Sequence, residues 1–275
     1  MSQVAQAIAS GLLPGRLWVY SNYHCNLACS YCLTESAPQA TKRELPAEVM
    51  LGLARDAREL GFTSLGITGG EPFLLPHLPD TIERLAEILP IIVLTNGTLF
   101  TEERLRRVQR FAGKPVALQI SLDSPDAVVN DTMRGPHNFR RVIEAIPALV
   151  GRGVQVRIAT TVEEMDNTDM TRLCALHREL GVEDEDHVVR PIVRRGRAVD
   201  SAIGVEAQVA DLPPELTISA DGAFWSPFGP SVHSGKLDTD LLVSRTTSPL
   251  EKPAGILLGL VQGRPSGEDS KLGIK

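Results

Sequence analysis

Six short, β-branched apolar runs alternate along this chain with amphipathic stretches, and that alternation is what most limits its fold. The runs are Leu17–Tyr20, Ser64–Thr68, Ile91–Thr95, Val116–Leu122, Val154–Thr161 and Val188–Val193. Between them, apolar residues return at helical spacing. One face is Met50, Leu53, Ala54, Ala57 and Leu60, a second is Ile82, Leu85, Ala86 and Leu89, and a third is Phe139, Val142, Ile143, Ile146 and Val150. Such i, i+3, i+4, i+7 faces predict helices with one buried side. Thr101 followed by Glu102 and Glu103 reads as a capped helix start, because early carboxylates face the positive helix end. Met170, Leu173, Cys174, His177 and Leu180 outline another helix, with Cys174 packed on its core face. Strand–helix alternation implies parallel strands joined by right-handed crossovers. Six strands are too few to close an eight-stranded barrel. The expected class is α/β, a partial six-stranded (β/α)6 TIM-like barrel, with an open doubly wound sheet as the alternative. In either geometry a ligand site belongs at the C-terminal strand ends.

The pattern changes after Val193. No convincing helix lies in residues 194–215. Leu216–Ser219, Asp221-Gly222 and Ala223–Ser226 read as a β-hairpin with an Asp-Gly turn. From Thr246 onward Pro249, Pro253 and Pro265 punctuate the chain, and the polar end Ser266–Lys275 reads as mobile. The organisation expected is an N-terminal segment (1–16), a core barrel (17–198), and a short C-terminal hairpin extension with a tail (199–275).

A length of 275 residues with 43% hydrophobic content suffices for one large domain. No apolar run approaches the roughly 20 residues of a membrane-spanning helix. Met1–Ser10 lacks the basic start and apolar run of a secretory signal. The net charge of −6 argues against a general nucleic-acid binder. Four cysteines are present, and three of them, Cys25, Cys29 and Cys32, fall within eight residues. A secreted chain tends to disperse its cysteines in pairs, so this clustering reads as a metal or cluster site in a reducing cytoplasm.

Two motifs carry chemistry. Cys25-Asn-Leu-Ala-Cys29-Ser-Tyr-Cys32 directly follows the first strand. Thiolates suit iron–sulfur clusters and zinc alike. A four-iron cube takes four cysteines, so three local ones leave one iron open unless Cys174 supplies a fourth thiolate. A Cys₃His zinc site using His24, and an electron-carrier cluster completed by Cys174, are the two competing readings. The second motif, Gly69-Gly70-Glu71-Pro72, follows the second strand. Paired glycines there let the backbone approach a ligand, and Glu71 with nearby carbonyls can accept from an ammonium group. A plain turn uses the same residues.

In this order, after the first and second strands, the two motifs resemble the radical S-adenosylmethionine (SAM) superfamily. Leu94-Thr95-Asn96-Gly97 and Ile120-Ser121-Leu122-Asp123-Ser124 fall at the next strand ends, and the likeness runs from about Leu17 to Ala198. The resemblance implies one [4Fe–4S] cluster on Cys25, Cys29 and Cys32, with SAM on the open iron. It implies Tyr31 beside the adenine, Gly69, Gly70 and Glu71 at the methionine amino group, and Ser121 and Asp123 near the ribose or carboxylate. Thr95 and Asn96 end a strand facing the same cavity. Thr95, Ser121 and Asp123 also suit helix caps and turns. Period-two alternation puts Gln155, Arg157 and Ala159 on one strand face. A charge on a barrel's inner face needs a partner, so Arg157 or Arg190 is a candidate for the SAM carboxylate. Arg194, Arg195 and Arg197 read as a solvated run.

The activity implied is reductive cleavage of SAM to a 5′-deoxyadenosyl radical, which takes hydrogen from a small-molecule or peptide substrate in a biosynthetic or tailoring step. An electron donor such as a flavodoxin or ferredoxin is implied as a partner. The hairpin segment resembles the start of a SPASM or twitch extension, yet no cysteine follows Cys174, so auxiliary clusters are not expected. Phe224, Trp225 and Phe228 are candidates either for the substrate cavity or for a hairpin core. A non-catalytic iron–sulfur carrier or zinc protein is the alternative function.

Overall fold

The computed structural model describes residues 2–163 and 167–263. A helix α1 (Gln3–Ala9), capped by the Ser2 hydroxyl, precedes the first strand. All six expected strands form within two residues of the sequence bounds: β1 (Arg16–Tyr20), β2 (Ser64–Thr68), β3 (Ile91–Thr95), β4 (Val116–Ser121), β5 (Gln155–Val162) and β6 (His187–Pro191). They lie side by side in chain order, each parallel to the next. The crossovers carry α2 (Ala47–Glu59), α3 (Leu78–Ala86), α4 (Glu102–Val108), α5 (Ala127–Arg134), α6 (Asn138–Val150) and α7 (Asn167–Glu179). The predicted faces bury Met50, Leu53, Ala54 and Ala57 on α2 and Ile82 and Leu85 on α3. The short α5 is started by Asp126, whose carboxylate accepts from the Val128 and Val129 N–H groups.

Alternation within the strands divides the sheet into two unlike faces. Leu17, Val19, Leu65, Ile67, Val93, Leu118, Ile120 and Ile158 join the main apolar core. The other face carries Trp18, Tyr20, Thr68, Gln119, Ser121 and Arg157, which line a cavity. Gly66 lies between, and a Cβ there would sit 2.3 Å from the Trp18 ring. Gly66→Ala is therefore expected to cost about 1–3 kcal/mol by forcing the indole out of place. Urea unfolding measures it, and an unchanged midpoint would show that the ring yields freely.

The C-terminal segment extends this sheet instead of standing apart from it. After a four-residue helix α8 (Arg197–Asp200), the expected hairpin forms as β7 (Thr217–Ser219) and β8 (Gly222–Phe224). β7 then pairs parallel with β1, Trp18 opposite Thr217. The small ribbon β9 (Val232–His233) and β10 (Lys236–Leu237) follows, and β11 (Leu242–Ser244) pairs with β8. The main sheet thus has nine strands in the order β11-β8-β7-β1-β2-β3-β4-β5-β6, open at both ends.

Three expectations are corrected. Residues 194–215 do hold a helix, α8. A twelve-residue helix α9 (Glu251–Gln262) occupies a stretch that its prolines seemed to break up. Pro253 sits in its first turn, where the N–H has no helical acceptor to lose; Ala254, Leu257 and Leu258 are buried beyond it. Cys174 is half-buried, not core, with its sulfur 4.0 Å from His187 Nδ1. Pro265 and the polar end Ser266–Lys275 lie outside the described residues. Among the described residues no helix is long and apolar enough to cross a membrane.

Candidate active site

The cysteine loop leaves the C-terminal end of β1 and is pinned by hydrogen bonds at four places. Asn22 Nδ2 donates to the carbonyls of His24 at 3.1 Å and Glu71 at 3.0 Å, tying the loop to the Gly69-Gly70 turn. Ser30 N donates to Met133 O on α5. Arg197 donates through its backbone N–H to Cys32 O and through its guanidinium to the Cys29 and Ser36 carbonyls. Val232 N of β9 donates to Leu33 O. Arg197 is thus a clamp on the loop, not part of a solvated run. Arg194 pairs with Glu206 and Arg195 with Asp238 and Asp240, so the other two are also occupied.

Cys25, Cys29 and Cys32 all line one cavity of about 380 Å³. Cys25 Sγ accepts from Leu27 N at 3.3 Å and faces Asn96 Nδ2 at 3.6 Å. Burial pushes the Cys25 thiol up to about 12, with Glu71 adding to the shift, and pushes Cys29 to about 11 against the pull of Arg134. These thiols need a bound metal centre to become thiolates near neutral pH. A tetrahedral zinc ion, with bonds of about 2.3 Å, would draw its sulfurs to within about 3.8 Å of one another. Among the described residues, only Glu35, Asp200 and His233 bring three ligand atoms within 4.8 Å; the cysteines do not. The three sulfurs are thus not gathered as tightly as one zinc ion would hold them. His24 turns toward Glu44, with Nδ1 3.6 Å away. Cys174 does not line the cavity, so the trio has no fourth thiolate beside it.

Gly69, Gly70, Thr95, Asn96 and Ser121 also line the cavity, as does Tyr31. Glu71 does not. Its carboxylate is fully buried and accepts from Phe73 N at 3.0 Å, Thr95 Oγ1 at 2.8 Å and Asn96 N at 2.8 Å. Burial raises its pKa and those three donors oppose the rise. Glu71 therefore fastens the β2 and β3 loop ends together. The glycines have a structural reason as well. A Cβ at Gly70 would lie 2.2 Å from His24 O, and one at Gly69 2.4 Å from Asn22 Oδ1. The close approach is to the cysteine loop's own backbone.

Asp123 is likewise moved back from the cavity. It accepts two bonds from Arg134, at 2.6 and 3.1 Å, one from Tyr31 Oη at 2.5 Å and one from Thr161 N at 2.9 Å. Arg134 is the residue that sequence reasoning missed. Burial works against its charge, but Asp123, Tyr31 and Cys29 together raise its pKa. It also lies over the Tyr31 ring, with Cζ 5.5 Å from the centroid. No local signal marks Arg134, because its partner is eleven residues away and on another element.

The two candidate arginines occupy different parts of the cavity. Arg190 donates through Nε to Thr161 Oγ1 at 3.1 Å. Enclosure lowers its pKa, and Tyr31, Arg134, Asp123 and Tyr20 all act on it. Its anchor Thr161 also donates to Asp123, so Arg190 stands beside the Asp123–Arg134–Tyr31 group. Arg157 sits 3.3 Å from Asp186, the residue just before β6. Of the aromatic candidates, Phe228 lines the cavity, whereas Phe224 and Trp225 are buried without reaching it.

The sequence profile of the radical SAM superfamily matches residues 19–169, more than half of the chain. The chain belongs to the radical SAM superfamily. Membership brings the superfamily's cofactors, a [4Fe–4S] cluster and SAM. The antilisterial bacteriocin subtilosin biosynthesis protein AlbA of Bacillus subtilis (strain 168) is 31% identical over 161 residues, covering 58% of this chain and 36% of AlbA. A probable GTP 3′,8-cyclase of Archaeoglobus fulgidus is 37% identical over 122 residues, covering 44% and 40%. This chain thus spans well under half the length of both relatives. Streptococcus suis SuiB bound to SAM superposes with a TM-score of 0.59 at 21% identity, over 75% of this chain and 47% of SuiB. SuiB bound to its precursor peptide SuiA gives 0.58 at 20% identity, over 76% and 46%. That likeness fixes the fold as a partial barrel of the superfamily's kind.

Proposed function

We propose that this protein holds its [4Fe–4S] cluster on Cys25, Cys29 and Cys32, binds SAM in the adjoining cavity, and abstracts hydrogen from a substrate enclosed there. The observation that carries this reading is a trio of cysteines, with no fourth thiolate beside it, opening onto a cavity of about 380 Å³. A pure electron carrier needs neither feature. When bound, cluster and SAM together supply a 5′-deoxyadenosyl radical by one-electron cleavage of SAM.

The chain's own residues position and enclose. The Gly69-Gly70 backbone receives the methionine amino group, and Arg190 holds the carboxylate through guanidinium nitrogens other than the Nε given to Thr161. Arg190 is preferred over Arg157, because Thr161 ties it to the Asp123 group that fixes Tyr31, whereas Arg157 is paired with Asp186. Tyr31, fixed by Asp123 and Arg134, forms the wall for the adenine; Ser121 is placed for the ribose. Thr95 and Asn96 steady the floor of this pocket through Glu71 and Cys25. Enclosure keeps competing hydrogen donors from the radical.

A peptide is the favoured substrate class, in line with the bacteriocin pathway named for AlbA and the precursor peptide bound to SuiB. The relationship to the cyclase favours a small metabolite as the second reading. A reduced flavodoxin or ferredoxin is proposed as electron donor. The test is to incubate the anaerobically reconstituted, dithionite-reduced protein with SAM and measure 5′-deoxyadenosine. Formation of 5′-deoxyadenosine with reductant, and none without, is expected; a cluster-loaded protein that leaves SAM intact would contradict the reading.

A further inference from the structure

The cavity extends past the residues assigned to the cofactors, and charged and polar side chains stand there among apolar ones. Arg16 opens β1. Arg157 pairs in register with Gln119 of β4, which pairs with Leu94 of β3. A packed barrel fills such layers with branched apolar side chains. Here Arg16, Trp18, Gln119, Arg157 and Glu215 line the same cavity as the cysteines.

Two of these groups are under-satisfied. Arg16 Nε is buried and has no hydrogen-bond partner; its guanidinium rests over the Trp18 ring, 5.5 Å from the centroid. Arg157 Nε is also buried without a hydrogen bond, and its nearest carboxylate oxygen, on Asp186, is 3.3 Å away. Glu215 accepts from Trp18 Nε1 at 2.7 Å and lies close enough to Arg16 for their charges to act on one another. Both side chains are half-buried and each has one carboxylate acting on it, Glu215 on Arg16 and Asp186 on Arg157, so the two Nε–H groups are donors left for a ligand to complete.

We propose that this part of the cavity binds a carboxylate of the substrate, gripped by Arg16 and Arg157, with the Trp18 indole as the wall beside it. The proposal rests on the reading of this cavity as the substrate site. A guanidinium fork fits carboxylate and phosphate alike. Glu215 and Asp186 decide between them, because two nearby negative charges repel a dianion more than a monoanion. The carboxylate can come from an acidic side chain or from a chain end.

The experiment is calorimetric titration of the anaerobically reconstituted protein saturated with SAM, so that SAM's own carboxylate is already placed. The probes are N-acetyl-glutamate methylamide, its glutamine counterpart, N-acetylglycine and inorganic phosphate. At least one carboxylate probe is expected to bind at least tenfold more tightly than the neutral glutamine probe. Arg16→Gln and Arg157→Gln are each expected to remove about tenfold or more of that preference. A stronger glutamate probe assigns a side-chain carboxylate, and a stronger N-acetylglycine a chain end. Equal binding of carboxylate and amide probes, affinities untouched by both substitutions, or tighter binding of phosphate would each overturn the proposal. Retention by Arg16→Gln of the SAM-induced change in the cluster's electron paramagnetic resonance spectrum shows that this variant is folded and loaded. If the unaltered protein lacks that change but still prefers carboxylate, the cofactor reading fails and the anion site stands.

Discussion

Alanine at any one of Cys25, Cys29 or Cys32 is expected to abolish cluster assembly and SAM cleavage, while Cys174→Ser leaves both intact. The three sulfurs open onto one cavity, and Cys174 lies outside it beside His187. Removing one of three protein ligands leaves two thiolates to hold a cube that ordinarily takes four. The expected loss is complete within detection, because SAM cleavage depends on the cluster. Iron and sulfide analysis with visible absorption reads assembly, and 5′-deoxyadenosine reads cleavage. Loss of the cluster in Cys174→Ser would instead mark a four-thiolate carrier and sink the enzyme reading.

Asp123→Ala is expected to destabilise the fold by about 3–5 kcal/mol, the usual cost of stranding one partner of a buried ion pair. Asp123 and Arg134 have side chains 0% and 5% exposed, so solvent cannot replace the lost charge. The substitution also strands Tyr31 Oη and Thr161 N. Urea unfolding measures the loss. Replacing both charges, as in Asp123→Leu with Arg134→Met, is expected to recover much of it, since no lone buried charge remains. The contrary outcome is unchanged stability with SAM binding alone impaired. That result would return Asp123 to the ribose contact that the superfamily resemblance implied.

The contrast between Cys25 and Asp123 shows what was legible in the sequence. Period-two and period-3.6 patterning placed β2 and β3 to the residue, because each strand packs one apolar face under an amphipathic helix. The cysteine loop was legible because its three sulfurs are local in sequence. Glu71 and Asp123 sat in recognisable motifs, but their partners, Asn96, Arg134 and Thr161, arrive from other elements. No local pattern distinguishes a carboxylate that faces a ligand from one that ties two loops together. The hairpin was visible from its Asp-Gly turn, yet its pairing with β1 was not, since an edge's choice of neighbour is set by tertiary contact. α9 was hidden by Pro253, which is a breaker inside a helix and harmless in its first turn.

The most direct measurement is the electron paramagnetic resonance spectrum of the anaerobically reconstituted, reduced protein with and without SAM. A reduced-cluster signal whose shape shifts on adding SAM is the predicted result, since it requires an iron open to the cofactor. A cluster signal indifferent to SAM would contradict the account and leave an electron carrier, and the absence of any cluster signal would contradict it in favour of zinc.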